Sequence, residues 1–437
     1  MVTGKFDQGM KVTAAATGIN LALGVLYTWS IFKGAIRDSI LIGGPNAFTW
    51  DIASLNDPYA VCCLVFACTM ILAGKCQDHL GPRVTAILGG LLVGSGFIWI
   101  SQSNDYWVWV IGFGVLVGTG IAFGYSSATP PALKWYPPSQ TGKIAGIVVS
   151  GFGLASLYIA PLAQYLLGAY GLQKSMFFFG VGFLLAVCVL AMFLVNPPPG
   201  YVPKAATDRR GIDAAAAKAR SLIADRDYSP AKMMKTPSFW MLWVLYFIGA
   251  GAGLMVIGSV AGMAKASMGD YAFLVVAILA IGNAGGRVAA GIVSDMIGRS
   301  RTLSMLFIFQ ALLMLAAVPI TGSASSGAIL LILLTTGIGF NYGANLALFP
   351  ALTKDFFGIK NFGVNYGILF TSWGVGGFVM SRASQVLKAQ TNSFSASLLV
   401  AAALLASGAG LIYFVKNRKE AMRREITRQL AAEVNPA

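Results

Sequence analysis

The chain has 437 residues, of which 57% are hydrophobic and only 11% are charged. Soluble domains contain roughly a quarter charged residues, so this composition excludes an ordinary soluble protein and indicates an integral membrane protein. The net charge of +15 leaves a nucleic-acid partner as an alternative, which the distribution of the charges tests.

Continuous apolar segments, each long enough for a spanning helix of about 20 residues, follow one another along the chain. The first follows the start MVTGKFDQGMK without an Ala-x-Ala-type site, so we expect a retained span and not a cleaved signal peptide. The segments lie near residues 12–36, 50–76, 83–104, 107–135, 141–170, 174–195, 237–263, 270–294, 301–321, 326–353, 361–387 and 393–416.

One long polar stretch separates the sixth and seventh segments. It begins with three prolines and a glycine and is rich in Asp, Arg and Lys. We therefore predict four parts. They are an N-terminal six-helix bundle (1–195), a cytoplasmic linker (196–236), a C-terminal six-helix bundle (237–416) and a cytoplasmic tail (417–437).

The basic residues follow a topology in which both termini are cytoplasmic. Lysine and arginine collect on the cytoplasmic side of membrane proteins, and 24 of the 31 fall in the predicted cytoplasmic segments. One of the others is Arg287, inside the eighth segment. Topology thus explains the charge without a nucleic-acid partner, and we expect a multi-pass protein of the cytoplasmic (inner) membrane. The six in predicted outer loops are Lys33, Arg37, Lys174, Lys265, Arg382 and Lys388.

The two halves share a repeat with an offset of 217 residues. The loops GKCQDHLGPR at 74–83 and GIVSDMIGR at 291–299 both read G-xxx-D-xx-G followed by a base. At the same offset, TGIAFGY at 119–125 matches TGIGFNY at 336–342. These matches predict two parallel six-helix repeats, an architecture in which transporters bind substrate at the repeat interface.

This loop and the twelve segments resemble the major facilitator superfamily. Shorter runs resemble its bacterial monocarboxylate and oxalate–formate branch. The resemblance implies an all-α membrane fold of twelve transmembrane helices in two pseudo-repeats, and a secondary transporter that works by alternating access. It implies no enzyme activity and no cofactor. The runs are YTWSIF at 27–32, KWYP at 134–137, TPSFW at 236–240, LFP at 348–350 and NYG at 365–367.

Arg287 is the first candidate for substrate binding. It lies about 12 Å along the helix axis from the Asp295 turn, where a cation costs at least about 2.5–3.5 kcal/mol unless it faces a cavity or a partner. The alternative is a structural arginine paired with a buried carboxylate, but Asp57 is the only other charge expected well inside a span. We expect Arg287 to face a central cavity and to bind a carboxylate through its planar fork of donors.

Asn283 lies one turn before Arg287 on the same helix face and is expected to bind a substrate oxygen. The glycines around the pair leave room for close helix approach or for ligand. Weaker candidates for the substrate site are Phe152, Asn341 and Asn345. These glycines are Gly282, Gly285, Gly286 and Gly291.

Aromatic residues complete the predicted substrate site. The resemblance implies that Tyr27, Tyr125 and Tyr342 lie at positions where oxalate–formate relatives have aromatics at the substrate. Phe370 and Trp373 in the eleventh segment are further candidates. Ordinary aromatic packing is the alternative for any one of these residues. Tyr125 and Tyr342 are favoured because they occupy the same place in the two repeats.

The chain departs from the resembled families at two lysine positions. Oxalate–formate exchangers have a second cation in helix 11, where aligning on NYG puts Trp373. Animal monocarboxylate carriers have a lysine in helix 1, where Ile31 stands here, with Lys33 closer to the outer end. One buried cation balances one carboxylate, whereas a dicarboxylate leaves a second charge unpaired at a cost of several kcal/mol. This favours a monocarboxylate.

Acidic residues provide the candidates for proton coupling and gating. Asp57, expected two turns into the second helix, is the proton-coupling candidate, and an outer-surface aspartate is the alternative if that helix begins later. The gating motif implied by the resemblance would hold one closed state through carboxylates that meet helix N-termini and basic residues. Its residues are Asp78, Arg83, Asp295 and Arg299.

Together these features predict a monomeric proton-coupled symporter of a small monocarboxylate such as L-lactate or pyruvate. The alternative is a carboxylate exchanger of the oxalate/formate antiporter type. A membrane sensor is disfavoured because the linker and the tail are too short for a signalling domain. A channel or a hydrolase is disfavoured further, because the single histidine, His79, lies in a predicted short loop where no Ser-His-acid set can be built. The same position argues against a histidine metal centre.

Overall fold

The structure is a computed structural model that describes residues 3–45, 47–136, 141–198, 201, 228–320, 328–358 and 361–413. Within these ranges, 10 helices are long and apolar enough to cross a membrane. One of them, Ile144–Ala191, has 48 residues and is broken into two spans at Gly171. A further long helix, Phe362–Thr391, packs against the others. The predicted all-α membrane fold with twelve spanning helices is confirmed.

In the first half, helix α1 is longer than its apolar segment predicts. It extends beyond the predicted 12–36 at both ends. It consists of Thr3–Leu23, a 3-10 stretch at Gly24–Thr28 and Trp29–Ile42. Helices α2 and α3 form Asp57–Ile100 and meet at Gly81. Helix α4 consists of Tyr106–Trp109, a π-helical stretch at Val110–Val117 and Gly118–Lys134. Helices α5 and α6 form Thr141–Ala191 and meet at Gly171.

The second half begins after a short helix at Pro230–Met234. Most of the predicted linker at 196–236, and the whole predicted tail at 417–437, lie outside the described residues. Helix α7 consists of Pro237–Ile257 and Val260–Met268. It is followed by α8 at Phe273–Ile297, α9 at Arg299–Ala317, α10 at Ala328–Phe357, α11 at Phe362–Thr391 and α12 at Ser395–Tyr413.

The repeat is visible in the backbone of the two matched loops. The φ angle is 81° at Gly81, between α2 and α3, and 94° at Gly298, between α8 and α9. Glycine adopts this left-handed region without the steric penalty of a side chain. The two glycines are 217 residues apart, so the same turn is made at the same place in each repeat.

Helices α8 and α10 approach each other closely because their contact faces contain glycine. A Cβ added at Gly282 or Gly286 of α8 would overlap backbone carbonyl oxygens of α10. Small residues commonly allow such approach between membrane helices. Gly285 and Gly291 face open space, so close helix approach explains only two of the four glycines that the sequence analysis grouped together.

The two halves meet along two pairs of helices. Helix α5 packs against α8, where Gly153 lies beside the Ala284 backbone. Helix α2 packs against α11, where a Cβ at Gly374 would overlap the Ala67 side chain. The candidate site lies between these pairs, in the centre of the molecule.

Two positions differ from the sequence analysis. Asp57 is the first residue of α2, not two turns inside it, because Pro58 occupies the first turn, where a missing N–H costs nothing. Arg287 is not the only basic residue buried within a span. The Lys33 side chain, in α1, is only 7% exposed because its ammonium group binds α7 instead of reaching the outer surface.

Candidate functional site

Arg287 lies in α8 at the interface between the halves and is only 3% exposed. Its Nε donates to Asn283 Oδ1 at 3.1 Å, and its Nη1 donates to the Val149 carbonyl of α5 at 2.7 Å. Among the described residues, no carboxylate forms an ion pair with it. A backbone carbonyl and an amide oxygen therefore hold the guanidinium without neutralising its charge.

Two donors of this pair have no hydrogen-bond partner within the described structure. They are Arg287 Nη2 and Asn283 Nδ2, and both are buried. An unsatisfied buried donor costs about 1–3 kcal/mol, and more when it is charged. An anionic ligand with two oxygens would satisfy both donors and balance the charge.

Gly153 of α5 forms the surface opposite this pair. A Cβ at this position would lie 3.3 Å from Arg287 Nε and 3.4 Å from Asn283 Cγ. Gly153 was not predicted, because nothing in the sequence distinguishes it from other glycines of the fifth segment. It keeps the space beside the guanidinium free of side-chain atoms.

The three predicted tyrosines lie near Arg287 and are connected to one another, through Phe152 and through a hydrogen bond. Phe152 contacts Tyr27 and Tyr125 edge to face, with ring centroids 5.1 and 5.4 Å apart. The Tyr125 hydroxyl faces the Arg287 guanidinium. The Tyr27 and Tyr342 hydroxyls are hydrogen-bonded to each other at 2.6 Å across the two halves.

Helix α11 contributes the remaining aromatic wall. Trp373 Nε1 donates to the Tyr342 hydroxyl at 2.9 Å, and the Trp373 ring stacks on Phe370 at 4.9 Å. Phe66 of α2, which was not predicted, contacts Tyr125, Phe370 and Trp373, with ring centroids 5.7, 5.5 and 5.1 Å away. All five predicted aromatics thus belong to one cluster. The repeat offset was a usable signal for Phe66, which occupies the place of Asn283 in the first half.

Asp57 is not part of this cluster. It lies at the N-terminus of α2, where it forms an ion pair with Arg382 of α11 and accepts a hydrogen bond from the Tyr106 hydroxyl at 2.6 Å. Arg382 also donates to the Ala53 carbonyl at 3.0 Å. The pair links the halves at the end of the molecule that the topology predicts to be outside.

The described gating residues make contacts within their own halves. Arg83 donates to the Met192 carbonyl at 2.9 Å. Arg299 binds the Ser294 hydroxyl and lies 4.0 Å from the Asp355 carboxylate. The side chains of the predicted partners, Asp78 and Asp295, lie outside the described residues, so the gate stays a prediction.

Comparisons with known proteins agree with this architecture. The sequence profile described as Major Facilitator Superfamily matches residues 13–381. The uncharacterized MFS-type transporter YhjX of Escherichia coli (strain K12) is 29% identical over 365 residues, which cover 81% of this chain and 82% of that protein. The oxalate:formate antiporter of Oxalobacter formigenes is 26% identical, with coverages of 80% and 77%. Apicoplast pyruvate carrier 1 of Toxoplasma gondii is 27% identical, with coverages of 69% and 64%.

A solved structure shows the same fold. The crystal structure of the D-xylose-proton symporter has a TM-score of 0.69 and 14% sequence identity, and the match covers 92% of this chain and 97% of that one. At this identity the likeness concerns the fold alone. It supports the arrangement of helices and not the choice of ligand.

Proposed function

The chain belongs to the Major Facilitator Superfamily, and on that premise we propose that it is a proton-coupled symporter of a small monocarboxylate such as L-lactate or pyruvate. It is a multi-pass membrane transporter and not an enzyme. We further propose that it is monomeric in the cytoplasmic (inner) membrane, with both termini cytoplasmic and with the four-part division at 195, 236 and 416.

The main observation behind this proposal is the buried Arg287–Asn283 pair, with one unused donor on each residue. A carboxylate accepts two parallel hydrogen bonds from a guanidinium, or one from each of two neighbouring donors. The aromatic cluster beside the pair would exclude water and so strengthen the charge interaction. One cation and an apolar wall suit a small anion with a single negative charge.

Alternating access follows from where these contacts lie. Arg287 of α8 donates to the Val149 carbonyl of α5, so the substrate would bind where the two halves touch. A carboxylate bound to the unused donors would draw the guanidinium toward itself, and so would loosen this contact on arrival and restore it on departure. Such a two-state interface is what rocking of one half against the other requires.

Proton coupling would act through the Asp57–Arg382 ion pair, which Tyr106 also contacts. Protonation removes the negative charge of Asp57 and thereby the ion pair that joins α2 to α11. The outer contact would then weaken in each cycle in which Asp57 carries the co-transported proton. We therefore expect uptake to increase toward acidic external pH and to lose this dependence in Asp57→Asn, whose side chain imitates the neutral form.

The central test is uptake of labelled L-lactate and pyruvate by purified protein in liposomes with an inward pH gradient. Arg287→Ala should lower uptake at least about a hundredfold, because a lost charged hydrogen bond and an unpaired carboxylate together cost about 3 kcal/mol or more. Arg301→Ala changes an exposed arginine of α9 and serves as the matched control. Near-normal uptake by Arg287→Ala would contradict the site.

The second candidate is a carboxylate exchanger, which the similarity to an oxalate:formate antiporter favours. The two functions differ in what drives efflux from preloaded liposomes. An exchanger needs a counter-substrate on the opposite side, whereas a symporter responds to the pH gradient without one. Efflux that requires external carboxylate at every pH would replace the symporter proposal.

A further inference from the structure

A cavity of about 690 Å³ lies at the predicted outer end of the molecule. Its walls come from the ends of α1, α7 and α11, so both halves contribute to it. Lys33, on its floor, follows Tyr27 of the central cluster by six residues of α1, or about 9 Å along the axis. The cavity is therefore a separate space on the outer side of the Arg287 site, and we call it the outer vestibule.

The floor of the outer vestibule is polar and buried. Lys33 Nζ donates to the Gly258 carbonyl at 2.7 Å and to Ser259 Oγ at 3.1 Å, at the break within α7. Gln385 of α11, 5% exposed, donates to the same Ser259 hydroxyl at 3.3 Å. Ser30, 1% exposed, also lines the cavity, and its hydroxyl has no hydrogen-bond partner in the described structure.

The charges around this floor leave Lys33 without a negative partner. Lys388 and Arg37 line the same cavity, and both act on the Lys33 ammonium through space as like charges. Across the described chain, no carboxylate forms an ion pair with any of these three cations.

The acidic residues of the wall are occupied or lie nearer the mouth. Asp38 is paired with Lys265, and the Asp51 carboxylate accepts the Ala53 N–H at 2.9 Å. Asp270 is the third carboxylate that lines the cavity, and its residue is exposed. The deep part of the vestibule therefore contains basic groups without carboxylate partners in the described structure, beside an unused hydroxyl.

We propose that Lys33, Ser30 and Gln385, with Arg37 and Lys388 around them, form a second anion site that receives a small carboxylate at the outer face before it reaches Arg287. Clefts lined by one sign of charge raise the local concentration of an oppositely charged ligand. This inference rests on the proposed transport of a monocarboxylate, because it gives that substrate a first binding site on the way to Arg287.

An anion bound at this second site would also weaken the contacts that hold the two halves together on the outer side. The Lys33 ammonium binds the carbonyl at the C-terminal end of Pro237–Ile257, where a helix favours positive charge. Tyr59 of α2 binds the same helix end, through the Leu254 carbonyl at 3.1 Å. A carboxylate that draws Lys33 away from Gly258 removes one of these two ties between the halves, and so favours opening toward the ligand.

Transport from each side tests the vestibule in oriented liposomes. We expect Lys33→Gln to raise the KM for external L-lactate at least about tenfold and to leave the KM from the cytoplasmic side within about twofold. Lys33→Arg should restore most of the external affinity. Lys265→Gln, which removes a cation that is exposed and already paired with Asp38, is the matched control.

Direct binding separates the two proposals. The probes are L-lactate, pyruvate, formate and acetate, measured calorimetrically with the Arg287→Ala protein and with Arg287→Ala/Lys33→Gln. Residual weak binding to the first protein that disappears in the second supports the vestibule site, even if the wild-type protein transports none of the four. Equal binding to the two proteins, or none to the first, overturns it and leaves the Arg287 proposal to the uptake assay.

Discussion

Tyr125 and Tyr342 occupy the same place in the two repeats but have different surroundings. Tyr342 is completely buried, and its hydroxyl is hydrogen-bonded to Tyr27 and Trp373. Tyr125 is half-buried, and its hydroxyl faces the Arg287 guanidinium. One tyrosine therefore stabilises contacts between helices, while the other lies beside the charged group of the candidate site. A repeat conserves the position of a side chain and not its role.

The same contrast separates α2 from α8. At the repeat offset, Asn283 and Arg287 of α8 correspond to Phe66 and Met70 of α2. Phe66 packs within the aromatic cluster, whereas Asn283 and Arg287 present buried donors. The N-terminal half thus contributes an apolar wall and the C-terminal half contributes the charge. This asymmetry is the physical reason to expect one carboxylate per substrate, because a symmetric pair of cations would suit a dianion.

The largest effect should come from breaking the close contact between α8 and α10 in the C-terminal half, which contains Arg287. A Cβ in Gly286→Ala would overlap the Phe340 carbonyl oxygen, so α8 and α10 must separate. Overpacking costs about 1–3 kcal/mol and more when backbone must move, and we expect little folded protein. The readout is the yield and thermal unfolding midpoint of purified protein.

Gly285→Ala, one residue earlier in α8, is the matched control. Its Cβ would face open space, so stability should be unchanged or improve by up to about 1 kcal/mol. Equal unfolding midpoints for the two variants would show that the close approach does not support α8.

The tyrosines allow a direct test of their different roles. Tyr342→Phe removes the acceptor of the Trp373 N–H and the partner of the Tyr27 hydroxyl, which should cost about 1–3 kcal/mol of stability. Tyr125→Phe should leave the unfolding midpoint unchanged and raise the KM for lactate about five- to tenfold through the lost hydroxyl. The reverse result, with Tyr342→Phe affecting only the KM, would show that the two tyrosines do not have these separate roles.

The sequence predicts the features that depend on contact with lipid and on the internal repeat. Apolar length predicts the spans, and the matched loops predict the turns at Gly81 and Gly298. The cost of a charge in lipid directs attention to Arg287. The start of α2 was misjudged, because the apolar residues Ile52 and Leu55 also occur before Pro58. The burial of Lys33 was missed because its ammonium binds α7, more than 200 residues away in sequence. Gly153 was missed because its importance depends on what α8 places opposite it.

A second cation in the aromatic cluster tests whether the single buried charge of Arg287 is what selects a monocarboxylate. Trp373→Lys introduces an ammonium group beside Phe66 and Phe370, at the position where the resembled exchangers have a lysine. We expect oxalate to inhibit lactate uptake at least about tenfold more strongly, because the second carboxylate gains a partner. Trp373→Phe, which removes the indole but adds no charge, should not improve oxalate inhibition. A similar gain in both variants would show that space, and not charge, had excluded the dianion.

The smallest effect should come from the uncharged side of the site. In Gly153→Ala, the added methyl group would lie 3.3 Å from Arg287 Nε, closer than an ordinary contact, and the arginine side chain is flexible enough to shift slightly. We expect the KM for lactate to rise roughly two- to fivefold, below about 1 kcal/mol, with a smaller change for formate, which has no methyl group to place. Gly146→Ala, on the same helix with open space around its Cβ, should leave both values unchanged. Because the N-terminal half contributes shape and not charge here, the effect should follow substrate size. An equal loss for formate and lactate would instead mean that the methyl group had disturbed the guanidinium itself.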